Sequence, residues 1–249
     1  MRHLLYCLRI RPISGFVTSP RNELPFAGHP TIATAFLLAL DGYFPLQEPV
    51  TRITLEFKIG VLPVDIEVKN GKPQKVIMTQ QPPTFGMTFN AQEVAPCLGL
   101  QVEDLLSDCP RQVVRTGLPF LIVPVREVNV LGRIIMDRGA LSKLVEKAGV
   151  SAAYVFSFGG FKKEADTHAR LFDPRGTSED PYTGSAAGAM GCFVVRYGLK
   201  KGPVLLAEQG HFLNRPGEGF VEIQGKSDRI ESVRLGGAGV KALEGKFFA

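Results

Sequence analysis

No stretch of the 249-residue sequence is apolar for long enough to cross a bilayer as a helix, which takes about 20 such residues. The N-terminal MRHLLYCLRIRP has a short apolar patch, but no long apolar region or small-residue cleavage site follows it, so it does not read as a secretory signal. Only four cysteines occur, Cys7, Cys97, Cys109 and Cys192, and no two form a CxxC pair. They read as structural or incidental thiols in a reducing compartment rather than as disulfides or zinc ligands, and no metal-ligand set is read. Low-complexity tracts and Ser/Pro linkers are also missing. The cytoplasm is the default expectation. The formal charge of +5 is spread along the chain without an arginine stripe or aromatic–basic interleaving. That argues against a nucleic-acid partner and leaves a mild preference for small anions. Hydrophobic residues at 45% and charged residues at 21% give a globular balance, enough for one large domain or two ordinary ones.

What the sequence does have is a stretch that occurs twice. ELPFAGHPTIATAFLLALDG, beginning at Glu23, and EDPYTGSAAGAMGCFVVRYG, beginning at Glu179, match with a constant offset of 156 residues. Glu23, Pro25, Phe26, Gly28 and Gly42 fall on Glu179, Pro181, Tyr182, Gly184 and Gly198. Each copy is an acid, a proline, an aromatic and a glycine turn, followed by a run of small and apolar residues closed by glycine. This predicts a turn feeding a buried helix, made twice in two related halves. Pro30 suits the first helical position, which makes His29 the expected cap, and Ser185 takes that place in the second copy. Gly42 and Gly198 stand where a left-handed C-terminal residue belongs.

Around these turns the pattern is mostly strand. Strands are predicted at Leu4–Arg11, Ile53–Phe57, Leu62–Lys69 and Lys75–Thr79, with Asn70-Gly71 as a tight hairpin. A helical spacing follows over Ala91–Leu106, then an apolar strand over Arg111–Val125 interrupted by TGLP. An amphipathic helix over Arg138–Ala148 ends at Gly149. Strands follow at Ala152–Phe158, His168–Phe172, Val204–Glu208, Phe220–Gln224, Ile230–Leu235 and Val240–Phe248. The expected fold is α/β (α+β): two pseudo-symmetric halves, 1–108 with 236–249 and 109–235, each a curved, mostly antiparallel sheet around a central helix. The second half has a longer lead-in than the first, so the repeat predicts that the first half lacks roughly one strand–helix–strand unit.

A helix N-terminus presents unpaired N–H groups and about half a positive charge, which suits a carboxylate or phosphate. Two such turns brought to one cleft would hold a small anion with a polar group on either side, a geometry that suits moving a proton within a substrate. The polar groups are His29, Asp180, Thr183 and Ser185. His29 offers an imidazole able to accept or pass a proton, and Asp180 a carboxylate able to orient a hydroxyl, an ammonium or an imidazole. Set against this are blander roles: a simple cap for His29 and Ser185, and a turn former for Asp180. His168 reads as a structural residue in a strand, while His3 and His211 give no signal. A two-thiol mechanism would need cysteine before each glycine, and Ala27 and Thr183 stand there instead.

The paired turns ELPFAGHPT and EDPYTGSAAG, the TGLPF of Thr116–Phe120 and the EQG…RP of Glu208–Pro216 resemble the PhzF family of phenazine-biosynthesis isomerase-like proteins. These are related in fold to diaminopimelate epimerases and proline racemases. The resemblance implies two similar α/β domains with the site between them. It also implies an isomerase without a cofactor and a usual homodimer; the paired turns point to a small carboxylate substrate, and the lack of a long apolar run leaves no membrane partner expected. Matched residue by residue, the family's site histidine falls on His29, its aspartate on Asp180 and its serine on Ser185. Gly28, Ala27, Thr183 and Gly184 form the surrounding binding turns. The family's principal acid/base glutamate belongs to an N-L-S-E-T segment upstream of the first turn, and this sequence contains no such segment. The alternative expectation is therefore a small-molecule-binding or interaction protein without that glutamate.

Overall fold

The computed structural model describes residues 9–10, 17–19, 22–23, 28–57, 60–200 and 202–241. Its contacts divide the chain into two units, Met1–Thr79 with Gly236–Ala249, and Gln80–Leu235. The sequence reading ended the first half at 108. Residues from Gln80 onward instead pack in the second unit, because the strand Thr84–Phe89 pairs antiparallel with Arg111–Arg115.

In the first unit, β1 (Arg9–Ile10), β4 (Val50–Phe57), β5 (Gly60–Lys69) and β6 (Lys72–Gln80) form a sheet in that order, with β1 parallel to β4 and the others antiparallel. The short β2 (Val17–Ser19) and β3 (Asn22–Glu23) pair with each other. Asn70 and Gly71 both take positive φ, as a two-residue hairpin needs. Val64, Ile66 and Val68, alternate residues of the predicted strand Leu62–Lys69, are buried on one face. Asp65, on the opposite parity, is also buried, because its cross-strand partner Arg52 covers it with bonds of 2.6 and 2.8 Å. The helix α1 (His29–Leu40) packs on β5. It buries the stripe Thr31, Ile32, Ala35, Phe36 and Ala39 and exposes Ala33 and Leu40, so it is buried on one face rather than all round.

The second unit has a sheet of eight strands. In chain order they are β7 (Thr84–Phe89), β8 (Arg111–Arg115), β9 (Pro119–Pro124), β10 (Ala153–Phe158), β11 (Thr167–Phe172), β12 (Val204–Gln209), β13 (Gly217–Gly225) and β14 (Ile230–Gly237). Their spatial order is β14-β13-β12-β11-β10-β9-β8-β7. The pairs β9–β10 and β11–β12 are parallel, and β7–β8, β8–β9, β10–β11 and β12–β13 are antiparallel. The helix α5 (Gly184–Arg196) touches β8, β9 and β13. In a flat sheet β9 and β13 would lie about 19 Å apart, four strand spacings, while a helix is only about 10–12 Å across. The sheet must therefore curl around α5, and every residue from Gly184 to Val194 is buried.

The other face of this sheet carries α3 (Val128–Arg133) and α4 (Arg138–Ala148) over a second core. Here Val130, Leu131, Leu141 and Leu144 meet Leu121, Val123, Val155 and Phe172. On the inner face, Phe156 meets Phe193 of α5 edge to face at 6.1 Å. Being buried on both faces explains why β9 and β10 read as unbroken apolar runs. The α4 helix is capped by the Asp137 side chain on the Ala140 N–H and ends at Gly149 in the left-handed region, as expected. Over Ala91–Leu106 the expected helix is only a four-residue helix, α2 (Ala91–Val94), and two 3-10 turns, broken by Pro96 and left-handed Gly99. The expected last strand is not formed at Val240–Lys241, and its remainder lies outside the described residues.

The two helices end alike. Gly42 N–H bonds the Ala39 carbonyl and Tyr43 N–H bonds that of Leu38. Gly198 and Leu199 do the same to Val195 and Val194, each partner displaced by the same 156 residues. Both are Schellman turns with a left-handed glycine, φ 72° and 61°. Cys97, Cys109 and Cys192 are buried free thiols. Among the described residues no helix is long and apolar enough to cross a membrane.

Candidate functional site

The turn Glu179–Ser185 is held first from β11. Arg170 donates to both Glu179 carboxylate oxygens, at 3.0 and 2.5 Å, and to the Leu131 carbonyl at 2.6 Å. Its guanidinium lies over the rings of Phe172 and Phe212. With Glu179 fixed, Asp180 follows in a defined position. Its Oδ2 accepts from the Thr183 hydroxyl at 2.8 Å and its Oδ1 from the Tyr182 N–H at 3.4 Å. Asp180 is thus a turn former, and it also places a half-buried carboxylate just ahead of α5.

Gln209, at the end of β12, locks this turn from the side. Only 1% exposed, it accepts from the Thr183 N–H at 3.0 Å and donates to the Asp180 carbonyl at 2.6 Å and the Thr183 hydroxyl at 3.2 Å. Thr183 caps α5 through its carbonyl, which accepts from the N–H groups of Ala186 and Ala187. Helix geometry leaves the N–H groups of Gly184 and Ser185 without an acceptor inside the helix, at its positive end. Behind them, buried Gln80 donates to the Gly184 carbonyl at 3.1 Å. The Thr116 hydroxyl lies 2.7 Å from Gln80 Oε1 and 3.4 Å from the Ser185 carbonyl. This buttress needs glycine at 188, where a Cβ would come within 2.0 Å of Gln80 Oε1. Burial pushes the Tyr154 phenol well above its ordinary value, and the nearby Tyr182 and Asp180 add to the rise. Tyr154 therefore stays protonated, and its buried hydroxyl has no partner.

Four of the seven residues assigned from sequence, Asp180, Thr183, Gly184 and Ser185, come together in this one turn. Gly28 and His29 belong to the first unit, where Gly28 caps α1 through bonds from Thr31 and Ile32 and His29 is exposed. Ala27 lies outside the described residues. The cap assignments are corrected: the caps are Gly28 and Thr183, not His29 and Ser185, and neither helix has a side-chain cap bond. The reason is that the carbonyls of Gly28 and Thr183 already accept the first helical hydrogen bonds. Gln209, Gln80 and Arg170 were not assigned from sequence. Gln209 and Thr116 stand inside the noted EQG and TGLPF segments, but nothing in those segments tells what they hold.

The chain matches the PhzC-PhzF family, described as phenazine biosynthesis-like protein, over residues 16–245. It is 30% identical to the trans-2,3-dihydro-3-hydroxyanthranilate isomerase of Pseudomonas aeruginosa, over 93% of this chain and 78% of that protein. Among solved structures it resembles a phenazine biosynthesis protein of the PhzF family from Bacillus anthracis. That match has TM-score 0.76 and 26% identity, over 88% of this chain and 75% of the other. A predicted epimerase from Pseudomonas aeruginosa matches at TM-score 0.70 and 33% identity, over 87% and 72%. The fold is thus the mixed α+β, diaminopimelate epimerase-like one that the sequence predicts.

Proposed function

Because the chain belongs to the PhzC-PhzF family of phenazine biosynthesis-like proteins, we propose that it is an isomerase moving a proton within a small carboxylate substrate by acid/base chemistry, without a cofactor. The observation that carries this reading is the second turn, where a carboxylate, Asp180, is held at the N-terminus of the buried helix α5 by Thr183 and Gln209. The substrate carboxylate would accept from the N–H groups of Gly184 and Ser185. Asp180 would then face the part of the substrate that loses or gains the proton, with the Ser185 hydroxyl as a further polar contact. Gly28 and His29 are assigned to the same reaction, His29 as a second proton carrier. Holding the turn by three bonds from one buried amide keeps Asp180 from reorganising during proton transfer, which is where such sites gain most.

The substrate class suggested by the Pseudomonas relative's name is a dihydroaromatic amino acid. The test is NMR titration of the chain with trans-2,3-dihydro-3-hydroxyanthranilate in deuterated water. Binding together with substrate–solvent deuterium exchange, lost in Asp180→Asn, is the expected result. Binding without exchange would replace this reading with that of a small-molecule-binding protein, and no binding would remove the carboxylate site.

A further inference from the structure

We propose that His168, Glu208 and His211 form a site for a single divalent cation of the zinc class, clipping β11, β12 and the loop 159–162 together. The parallel pairing of β11 and β12 sets His168 directly beside Glu208, and His211 follows three residues later at the start of a one-turn 3-10 segment. His168 Nδ1 is 3.4 Å from one Glu208 oxygen, and His211 Nε2 is 4.0 Å from the other. One ligand atom from each residue lies within 4.8 Å of the other two. Tetrahedral zinc with bonds near 2.0–2.2 Å wants ligand atoms about 3.4 Å apart. The His168–Glu208 pair already meets this. His211 must close by roughly an ångström, which a partly exposed side chain on a short turn can do. Two imidazoles and one carboxylate leave a fourth position for water, the donor set of a three-ligand zinc centre.

The outer shell fits as well. Each Glu208 oxygen accepts one backbone N–H, from Phe161 at 2.7 Å and from Lys162 at 3.1 Å, which leaves a lone pair on each for the histidine side. Hydrogen-bonded carboxylates of this kind are what metal centres use to fix a ligand. The loop comes so close that a Cβ on Gly160 would lie 2.4 Å from Glu208 Oε2. Loop anchoring alone would explain these two bonds, but it does not call for two imidazoles with their near-side nitrogens turned to the same carboxylate. His168 Nε2, His211 Nδ1 and Ser157 Oγ are all buried without partners. Ser157 stands directly opposite His168 across β10 and β11. A cation on Nδ1 would fix the ring proton on Nε2, so the bound site holds a single imidazole tautomer. Entry is from the His211 side, where Phe161 stacks on the imidazole at 4.5 Å.

The site goes beyond the isomerase reading. Glu208 and Gln209 point to opposite faces of β12, so the clip would sit behind the residue that locks the Asp180 turn. The test uses the full chain without a histidine tag, stripped with a chelator and titrated with Co2+ and then Zn2+. One equivalent of Co2+ with visible d–d absorption, displaced by Zn2+, and a rise in Tm with Zn2+ are expected. His211→Ala should weaken Co2+ binding by more than about 100-fold, beyond the cost of losing an outer-shell partner, while the stripped protein keeps the parent's Tm. His211→Gln serves the same purpose should the alanine variant fail to fold. Absence of stoichiometric Co2+ uptake overturns the proposal, as does uptake that is unchanged in the His211 variant.

Discussion

The side-chain amide of Gln209 donates to the backbone carbonyl of Asp180 over 2.6 Å, so the position of the candidate catalytic carboxylate is set by a residue 29 positions away. That amide is buried and has three partners. Gln209→Leu strands the Thr183 N–H and the Asp180 carbonyl without protein partners. It should cost about 1–3 kcal/mol in urea unfolding. Gln209→Glu keeps the acceptor for Thr183 but loses the donor and sets a negative charge against the Asp180 carbonyl, so it should fare no better. A parent-like midpoint for both variants would show that Gln209 is incidental to the turn.

A glycine inside a helix usually gains up to about 1 kcal/mol on replacement by alanine. At Gly191 the sign should reverse, because a Cβ there meets Val221 Cγ1 at 2.6 Å and Ile223 Cδ1 at 3.2 Å. Overpacking of this kind costs about 1–3 kcal/mol, so Gly191→Ala should lower stability by a net amount on the order of 1 kcal/mol. Ala189→Leu, at a position with no exposure, should cost about 1–3 kcal/mol without any offset. Thermal unfolding of both variants measures this. A stabilised Gly191→Ala would mean the sheet does not press on α5.

The three described cysteines should be silent in the native protein. Burial pushes the Cys109 thiol up to about 11 and raises Cys97 and Cys192 as well. Only the thiolate reacts. At pH 8 Cys109 should therefore alkylate slower than an exposed cysteine by on the order of 100-fold, with the rate still climbing above pH 9. Peptide mapping after iodoacetamide treatment, with and without denaturant, tests this residue by residue. Fast native labelling of Cys109 would contradict its burial.

Local signals carried most of the fold into the sequence. Gly42 and Gly198 announced two helix ends that proved identical bond for bond, because a left-handed residue after an apolar run has few alternatives. The helix starts were misread by a residue or two, since Pro30 and Ser185 are acceptable at several positions of a first turn. The pieces at Ala91–Asp104 kept a helical spacing although Pro96 and Gly99 break the ladder. The short α3 has no side-chain cap to announce it. Asp180, Thr183 and Ser185 were legible because they are neighbours in a repeated turn. Gln209, Gln80 and Arg170 were not, because strand register brings them to that turn and no local pattern encodes it.

Thr183→Val separates holding the substrate from acting on it. The change keeps the shape of the side chain and the backbone N–H that Gln209 accepts. It removes the hydroxyl that donates to Asp180 Oδ2 at 2.8 Å and accepts from Gln209 at 3.2 Å. Under the proposed function the substrate carboxylate rests on backbone N–H groups of Gly184 and Ser185, which the substitution leaves in place. Its affinity should change by less than about threefold, below the roughly fivefold that a typical hydrogen bond of about 1 kcal/mol is worth. Asp180 loses its lateral support, so substrate–solvent deuterium exchange should slow by roughly 10–100-fold, the scale of a misplaced acid/base group. Asp180→Asn should keep binding and abolish exchange outright. The two variants together, titrated and followed by NMR, give a split between affinity and rate that a merely structural threonine would not produce. Equal losses in binding and exchange for Thr183→Val would mean that the hydroxyl holds the whole turn, and that Asp180 is not positioned through it.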